Sequence, residues 1–597
     1  MKIILTAINA KYIHTCPAVY SLRAYALACG RRVPDIQIAE YTINDRYQDV
    51  LSGIMDAGAN IIAFSVYIWN TIPVRRLIWD IRRIRGNGVR IWAGGPEASY
   101  APEEFLRETG ADLVMLGEGE VTFTALAERV MRLPSCSPGQ EALYGNIPGN
   151  TSVEPERILS TGSAPTVDFS SPPDSTSVEP ERMLSAASAP TADLSSIPGI
   201  AFMEHGRLVS TGFAPPVDLS SLPFLYGDLA SFEHRILYYE SSRGCPFSCA
   251  YCLSGNERGV RYRDLDLVLK ELDFFLEHRV KQVKFVDRTF NASPERALTI
   301  WRFIQEHDNG VTNFHFEIEA DRMTQEELDL LSSFRPGLIQ MEIGVQSANP
   351  LTLRSVHRNT DLSAVKRLMA ALTPVQNINL HLDLIAGLPW EDLASFRHSF
   401  NVVYAMRPHQ FQLGFLKLLP GTELHDLQEK YGLICSDTAP YEVLRTKWLS
   451  FEDLALLHRI SDRVEEFVNS QGFRRSLPLA EKLFPDAFSL FQALAEYYHD
   501  EGFENGRPSV QQRYALFSDF VTRAVATHPE LSAREKGILM DTIRLDQALH
   551  VHPSRRMQAV VRLDVGDGMQ EYRIDYTRCS PVNGEAAVTK RDNYSGG

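Results

Sequence analysis

Between Cys245 and Cys252 the chain places three cysteines in eight residues, spaced C-x3-C-x2-C, shortly after the strand-like run Ile236-Leu237-Tyr238-Tyr239. A tetrahedral zinc site needs a fourth ligand, and structural zinc sites usually pair two short Cys/His clusters. The sequence has no second cluster, and chance crowding of inert thiols is a poor account of this density. Three thiolates on one loop can instead hold three corners of a cubane iron–sulfur cluster. A ferredoxin-type cluster closes all four corners with cysteine, so a three-cysteine loop leaves one iron open to bind a substrate or cofactor.

The rest of the chain sets the context for that loop. At 597 residues it has room for about three domains, and its 44% apolar and 23% charged residues are those of a globular protein. Acidic residues outnumber basic ones, 75 to 60, which argues against a nucleic-acid substrate because phosphate backbones call for basic surface. No apolar run approaches the roughly 18 residues that span a bilayer. Met1 to Ile8 is too short for a signal-peptide core and reads as a first strand, so the expected location is cytoplasmic. Cys16, Cys29, Cys136, Cys435 and Cys579 are scattered and read as ordinary thiols.

The expected fold class is α/β, in four stretches. Residues 1–135 alternate buried strands (Ile3-Ile4-Leu5, Ile61 to Val66, Val89 to Ala93, Leu113 to Leu116) with amphipathic helices such as Val74 to Ile84. That pattern predicts a doubly wound domain, with ligands at the carboxyl ends of the strands. Residues 136–234 turn rich in Ser, Pro, Thr and Ala and carry a three-copy, 25-residue repeat: Val153 to Ser160, Val178 to Ser185 and a degenerate Met203 to Ser210. The third copy reads as the original interdomain connection, with a turn at His205-Gly206; the first two read as a flexible insertion. Residues 235–432 hold six β/α units, a partial (β/α)6 barrel whose cysteine loop follows the first strand. Residues 433–597 read as a mostly helical domain, a lid or specificity element, with strand-like pieces at Gln558 to Leu563 and Tyr572 to Tyr576.

With an aromatic, Tyr251, before its last cysteine, the loop resembles the radical SAM signature. The resemblance implies a [4Fe-4S] cluster on Cys245, Cys249 and Cys252, whose open iron is chelated by S-adenosylmethionine (SAM). One electron then cleaves SAM to methionine and a 5′-deoxyadenosyl radical. It also implies a SAM pocket: Asp287 in a turn recognising the methionine amino group, Arg358 on the carboxylate, Asp383 on ribose hydroxyls, and Glu319 and Gln346 lining the same space. Taken singly, Glu319 or Asp383 reads equally well as a helix cap. Gly387-Leu388-Pro389-Trp390-Glu391 departs from the family's Gly-Leu-Pro-Gly-Glu, whereas Leu419 to Leu424 matches its closing segment.

Residues 1 to 130 resemble the cobalamin-binding domain that precedes many radical SAM cores. The resemblance puts Ser65, Tyr67, Gly94, Gly95 and Glu118 along the cobalamin. The Asp-x-His-x-x-Gly segment that brings histidine to cobalt in related domains is absent. His14, the domain's one histidine, has the wrong context, so no histidine of this domain is expected on the lower face. Together the two resemblances imply a corrin domain over the barrel mouth and methyl transfer to an unactivated carbon. The expected partners are a small-molecule, lipid-precursor or peptide substrate and an electron donor such as flavodoxin or ferredoxin. Oxidation, cyclisation or rearrangement with the same cofactors, and a non-catalytic cobalamin or redox sensor, are the alternatives.

Overall fold

The computed structural model describes residues 1–132, 194–256, 259–503, 508–551, 558–566, 568–579 and 585–591. Two compact units divide the chain, Met1–Leu237 and Tyr238–Gly597.

The first unit is built on seven strands: β1 (Lys2–Asn9), β2 (Asp35–Thr42), β3 (Ile61–Ser65), β4 (Arg90–Gly94), β5 (Leu113–Met115), β6 (Ile200–Glu204) and β7 (Arg207–Ser210). Their order is β2-β1-β3-β4-β5-β6-β7, with the first five parallel and the last two antiparallel. The continuous apolar runs of β1 and β3 arise because helices cover both faces of the sheet: Ile4, Ile62 and Phe64 enter one apolar cluster, and Ile3, Leu5 and Ala63 the other. Edge strand β2 is half-exposed, and its mixed burial hides it from a search for continuous apolar runs.

The third repeat copy is more than a connection. It forms the hairpin β6–β7 around His205-Gly206, both at positive φ, and pairs with the three-residue β5. Its apolar residues cover an edge that β5 alone leaves open. The first two copies and Cys136 lie outside the described residues.

Six further strands form the second sheet: β8 (Leu237–Tyr239), β11 (Gln282–Phe285), β12 (Asn313–Ile318), β13 (Ile339–Gln346), β14 (Asn379–Ala386) and β15 (Gln410–Phe415). Between the first two of these lie β9 (Ser242–Cys245) and β10 (Gly259–Tyr262), a separate hairpin. The sheet order β15-β14-β13-β12-β11-β8 is that of the expected six-unit barrel, and β11 through β15 are parallel. Along β12, β13 and β14 every second residue is fully buried, for example Phe314, Phe316, Met341, Leu380 and Leu382. The intervening residues, which point to the opposite face, are His315, Glu317, Gln340, Glu342, His381 and Asp383. An eight-unit barrel packs its interior with branched aliphatics. Here the lumen side is charged.

An open six-stranded barrel leaves β15 with an unpaired edge, and the C-terminal region covers it. The helix Phe451–Val464 runs into a single π-turn, Glu465–Asn469, which carries Asn469 to the strand. The Asn469 side chain accepts from the Phe411 amide at 2.7 Å and donates to the Phe411 carbonyl at 3.1 Å, as a neighbouring strand would. His458 stacks on Phe415 at 3.5 Å. The expected strand pieces near the C-terminus form a three-stranded antiparallel sheet with Ala586–Arg591, packed on the helix Ala533–His550. Among the described residues, no helix is long and apolar enough to cross a membrane.

Replacing Asn469 with Leu removes both bonds while the Phe411 amide and carbonyl stay buried. The expected loss is about 1–3 kcal/mol, read as a lower denaturant midpoint. An unchanged midpoint would show that the β15 edge is satisfied without the clamp.

Candidate active site

The cysteine loop is the tip of the β9–β10 hairpin, with Cys245 opposite Gly259 and Gly244 opposite Val260. Gly244 has φ +94, and a Cβ there would lie 2.3 Å from the Gly259 carbonyl oxygen, so the close strand pairing requires glycine. Beyond Cys245 the backbone is held from outside. Ala250 donates to the Val356 carbonyl at 3.0 Å and accepts from Leu424 at 2.8 Å, while Asn256 donates to the Gly421 carbonyl at 2.8 Å. The closing segment picked out in the sequence is therefore a brace for the cysteines. All three cysteines are free thiols. Burial raises the Cys249 pKa, and the Arg358 guanidinium opposes that rise.

Asp287 ends β11 as expected, but its carboxylate does not face an open pocket. It is 1% exposed and accepts from the Ser241 amide at 2.9 Å and from the Ser241 and Ser242 hydroxyls at 2.6 Å each. Those three bonds fix the start of β9, so Asp287 positions the cysteine hairpin. Burial nevertheless pushes its pKa up to about 6.

Three other expected residues do converge. Arg358 donates to Glu319 at 2.7 Å and to the Gly344 carbonyl at 2.5 Å. Gln346 ends β13 at φ +69, and its amide folds back over Gly344, where a Cβ would lie 2.2 Å from Nε2. Glu319 Oε1 and Gln346 Oε1 are buried acceptors without a hydrogen-bond partner. Such atoms call for a donor, and the ammonium and hydroxyl groups of SAM are of that kind. Burial raises Glu319 to about 7 against the pull of Arg358. Tyr251 is also raised, by burial and then by Cys249 beside it. Three thiols on one hairpin and two unsatisfied acceptors suit a cluster and a SAM molecule.

Asp383 lies in register with Gly344, and belongs to a lumen network that the sequence reading did not single out. His381 Nε2 is 2.8 Å from Asp383, His315 Nε2 is 3.2 Å from Glu342, and Lys284 is 3.4 Å from Glu342. The signal was present in the sequence as polar residues at every second strand position, where a packed barrel would carry aliphatics.

In the first unit the sheet order places the topological switch between β1 and β3, where ligands of such folds bind. Ser65 and Tyr67 lie at that point. Ser65 accepts from the Cys16 thiol, and Tyr67 stacks on Trp69 at 4.5 Å. Trp69 is 44% exposed and Asn70 is buried, and both donate to the Ile8 carbonyl. The glycine turn at Gly94-Gly95 has a packing role of its own. A Cβ on Gly95 would lie 2.5 Å from the Val66 carbonyl oxygen, so Gly95 lets two strand-end turns pack together, and Gly94 abuts Met115. Glu118 accepts from the Val217 amide at 2.9 Å, tying down the segment after β7.

The departure at Trp390 has a geometric cost. Trp390 has φ +67, where glycine is at ease, and is 49% exposed against Trp448 at 5.0 Å. The next residue, Glu391, is fully buried and accepts from Ser347 at 2.6 Å and Ser399 at 2.8 Å. Burial lifts its pKa to about 7. Two outcomes follow. Trp390→Gly removes the backbone strain and the ring contact, each about 1 kcal/mol, so the thermal midpoint should stay nearly unchanged. A large drop would mean that the ring anchors the loop. For Glu391, a folded pKa of about 7 above the ordinary 4.5 means that stability is lost as pH rises through that window. Glu391→Gln should therefore stabilise by up to about 3 kcal/mol near pH 8, with the gain vanishing at acid pH. Identical pH dependence in the two proteins would refute the assignment.

Three families match the chain in order: the B12 binding domain over residues 4–127, the Radical SAM superfamily over 239–403, and the family described as Protein of unknown function (DUF4080) over 429–578. The 2-(S-pantetheinyl)-carbapenam-3-carboxylate methyltransferase of Streptantibioticus cattleyicolor is 24% identical over 407 residues, covering 63% of this chain and 50% of that protein. The cobalamin-dependent radical SAM methyltransferase TokK of Streptomyces tokunonensis is 24% identical over 419 residues, covering 65% and 51%. The chain thus spans about half the length of these curated relatives. In fold it is similar to the cobalamin-dependent S-adenosylmethionine radical enzyme OxsB, with TM-score 0.56 and 14% identity over 92% of this chain and 79% of that one. It is also similar to TsrM from Kitasatospora setae, with TM-score 0.54 and 16% identity over 74% and 80%. Hairpin, barrel, switch-point domain and three family matches agree: the chain is a radical SAM protein with an N-terminal B12-binding domain and a C-terminal DUF4080 domain.

Proposed function

We propose that this protein is a cobalamin-dependent radical SAM methyltransferase acting on an unactivated carbon of a small molecule, lipid precursor or peptide. The observation that carries the reading is the pair of buried, unsatisfied acceptors, Glu319 Oε1 and Gln346 Oε1, in the same barrel as three free thiols on one braced hairpin. Methyl transfer is supported by the B12-binding domain and by the two relatives that are named methyltransferases.

Cys245, Cys249 and Cys252 would hold a [4Fe-4S] cluster, and residues at the β1/β3 switch would meet cobalamin. When bound, the cluster with SAM supplies a 5′-deoxyadenosyl radical, and cobalamin supplies the methyl carrier. The protein's part is placement. Asp287 holds the strand that carries Cys245. Arg358 brings positive charge to Cys249, which favours the thiolate that metal binding requires. Glu319 and Gln346 orient SAM by accepting from its donors, and the charged lumen receives the polar part of the substrate. Reduction would come from a flavodoxin- or ferredoxin-type donor.

The test is anaerobic reconstitution with iron, sulfide and cobalamin, followed by assay of SAM products. Both 5′-deoxyadenosine and S-adenosylhomocysteine are expected from the wild type. Cys252→Ala should lose the cluster absorbance and bring 5′-deoxyadenosine to background. An intact, reduced cluster that yields no 5′-deoxyadenosine would sink the radical reading. The nucleoside without S-adenosylhomocysteine would point to oxidation, cyclisation or rearrangement.

A further inference from the structure

Four adjacent strands each contribute a charged or ionisable residue to one line across the barrel lumen. Lys284 on β11 is in register with His315 on β12, Glu317 on β12 with Glu342 on β13, and Glu342 with His381 on β14. Side-chain contacts follow the same line: Lys284 to Glu342 at 3.4 Å, His315 to Glu342 at 3.2 Å and His381 to Asp383 at 2.8 Å. Ligand atoms of Glu342, His381 and Asp383 all lie within 4.8 Å of one another. The side chains in contact pair opposite charges, Lys284 with Glu342 and His381 with Asp383, although Glu317 and Glu342, in register, are both acidic.

We propose that His381 is a positioning residue that keeps Asp383 ionised and turned toward the lumen as the acceptor for SAM hydroxyl groups. The inference rests on the SAM-cleaving reading above. Burial drives Asp383 toward its neutral form, which would offer a donor in place of an acceptor, and the His381 imidazole is the main force against that drive. Burial also disfavours a charged His381, but Asp383 and Glu342 more than offset it, leaving its pKa raised. Glu342, held at about 2 despite burial by His315, Lys284 and His381, is thus a fixed negative charge on the other side of the imidazole. Glu317, raised by burial to about 7, and Arg288, 4.0 Å from it, also lie on this face, and Arg358, paired with Glu319, reaches the Gly344 carbonyl in register with Asp383. A hydroxyl-binding carboxylate in a buried site is useful only while ionised, and the His381 contact supplies that condition without occupying both carboxylate oxygens.

The experiment compares the reconstituted wild type with His381→Ala, His381→Gln and Lys284→Met in anaerobic SAM cleavage across pH. For His381→Ala, the KM for SAM should rise about tenfold or more with a smaller change in kcat. The acid limb of kcat/KM should move to higher pH by roughly one unit, because Asp383 then protonates more readily. His381→Gln keeps a polar side chain beside Asp383 but no charge, and should recover part of KM while leaving the limb displaced. Lys284→Met removes a cation that both repels a charged His381 and helps keep Asp383 ionised, so the limb should move up by less than in His381→Ala. A wild type that cleaves no SAM refutes the underlying reading. A wild type that cleaves SAM, with His381→Ala showing unchanged KM and limb at full cluster content, refutes the positioning role. One equivalent of zinc or manganese bound to the wild type and lost in His381→Ala would also overturn it, by making the imidazole a metal ligand.

Discussion

The cysteine hairpin depends on one buried carboxylate. Asp287 leaves β11 and takes three hydrogen bonds from Ser241 and Ser242, the residues where the chain enters β9. Burying a carboxylate is costly unless its oxygens are satisfied, and here three short bonds supply that satisfaction while its pKa still rises. The same bonds decide where Cys245 begins its turn, and the braces from Val356, Gly421 and Leu424 decide where the turn ends. The loop that binds chemistry is thus held at its start by the end of β11 and beyond it by the segments that follow β13 and β15, as sites on rigid scaffolds are.

The polarity of the lumen has a related origin. Side chains on a strand alternate faces, so the helices outside take Phe314, Phe316, Met341 and Leu382, and whatever remains lines the inside. In a closed barrel the inside must be filled by its own apolar residues. A six-stranded barrel with a bound cofactor can afford charged ones, because the ligand completes the packing and the hydrogen bonding.

Much of this was legible in the sequence. The cysteine spacing and the continuous apolar runs of β1, β3 and β4 announce themselves, since the first needs only local order and the second only burial on both faces. Arg358, Glu319 and Gln346 converge as their positions at strand ends suggest. What stayed hidden was pairing across distance. Nothing local to Asp287 shows that its partners lie 45 and 46 residues earlier, and nothing local to Gly95 shows that Val66 presses on it. The edge strand β2 was obscured because half-exposed strands carry mixed patterns, and the turn at His205-Gly206 was visible but not the pairing of its hairpin with β5. Trp390 gave a signal of the opposite kind: a residue out of keeping with its neighbours, at a backbone angle that explains why glycine is the usual choice.

The Asn469 clamp bears on how the protein is made. The β15 edge is completed by a side chain 58 residues further along the chain. During synthesis, therefore, all six barrel strands have left the ribosome while one of them still offers its backbone to any passing strand. Until the π-turn arrives, the β15 edge is open to pairing with another strand. The segment that follows the barrel in the chain is thus also the one that closes its last edge.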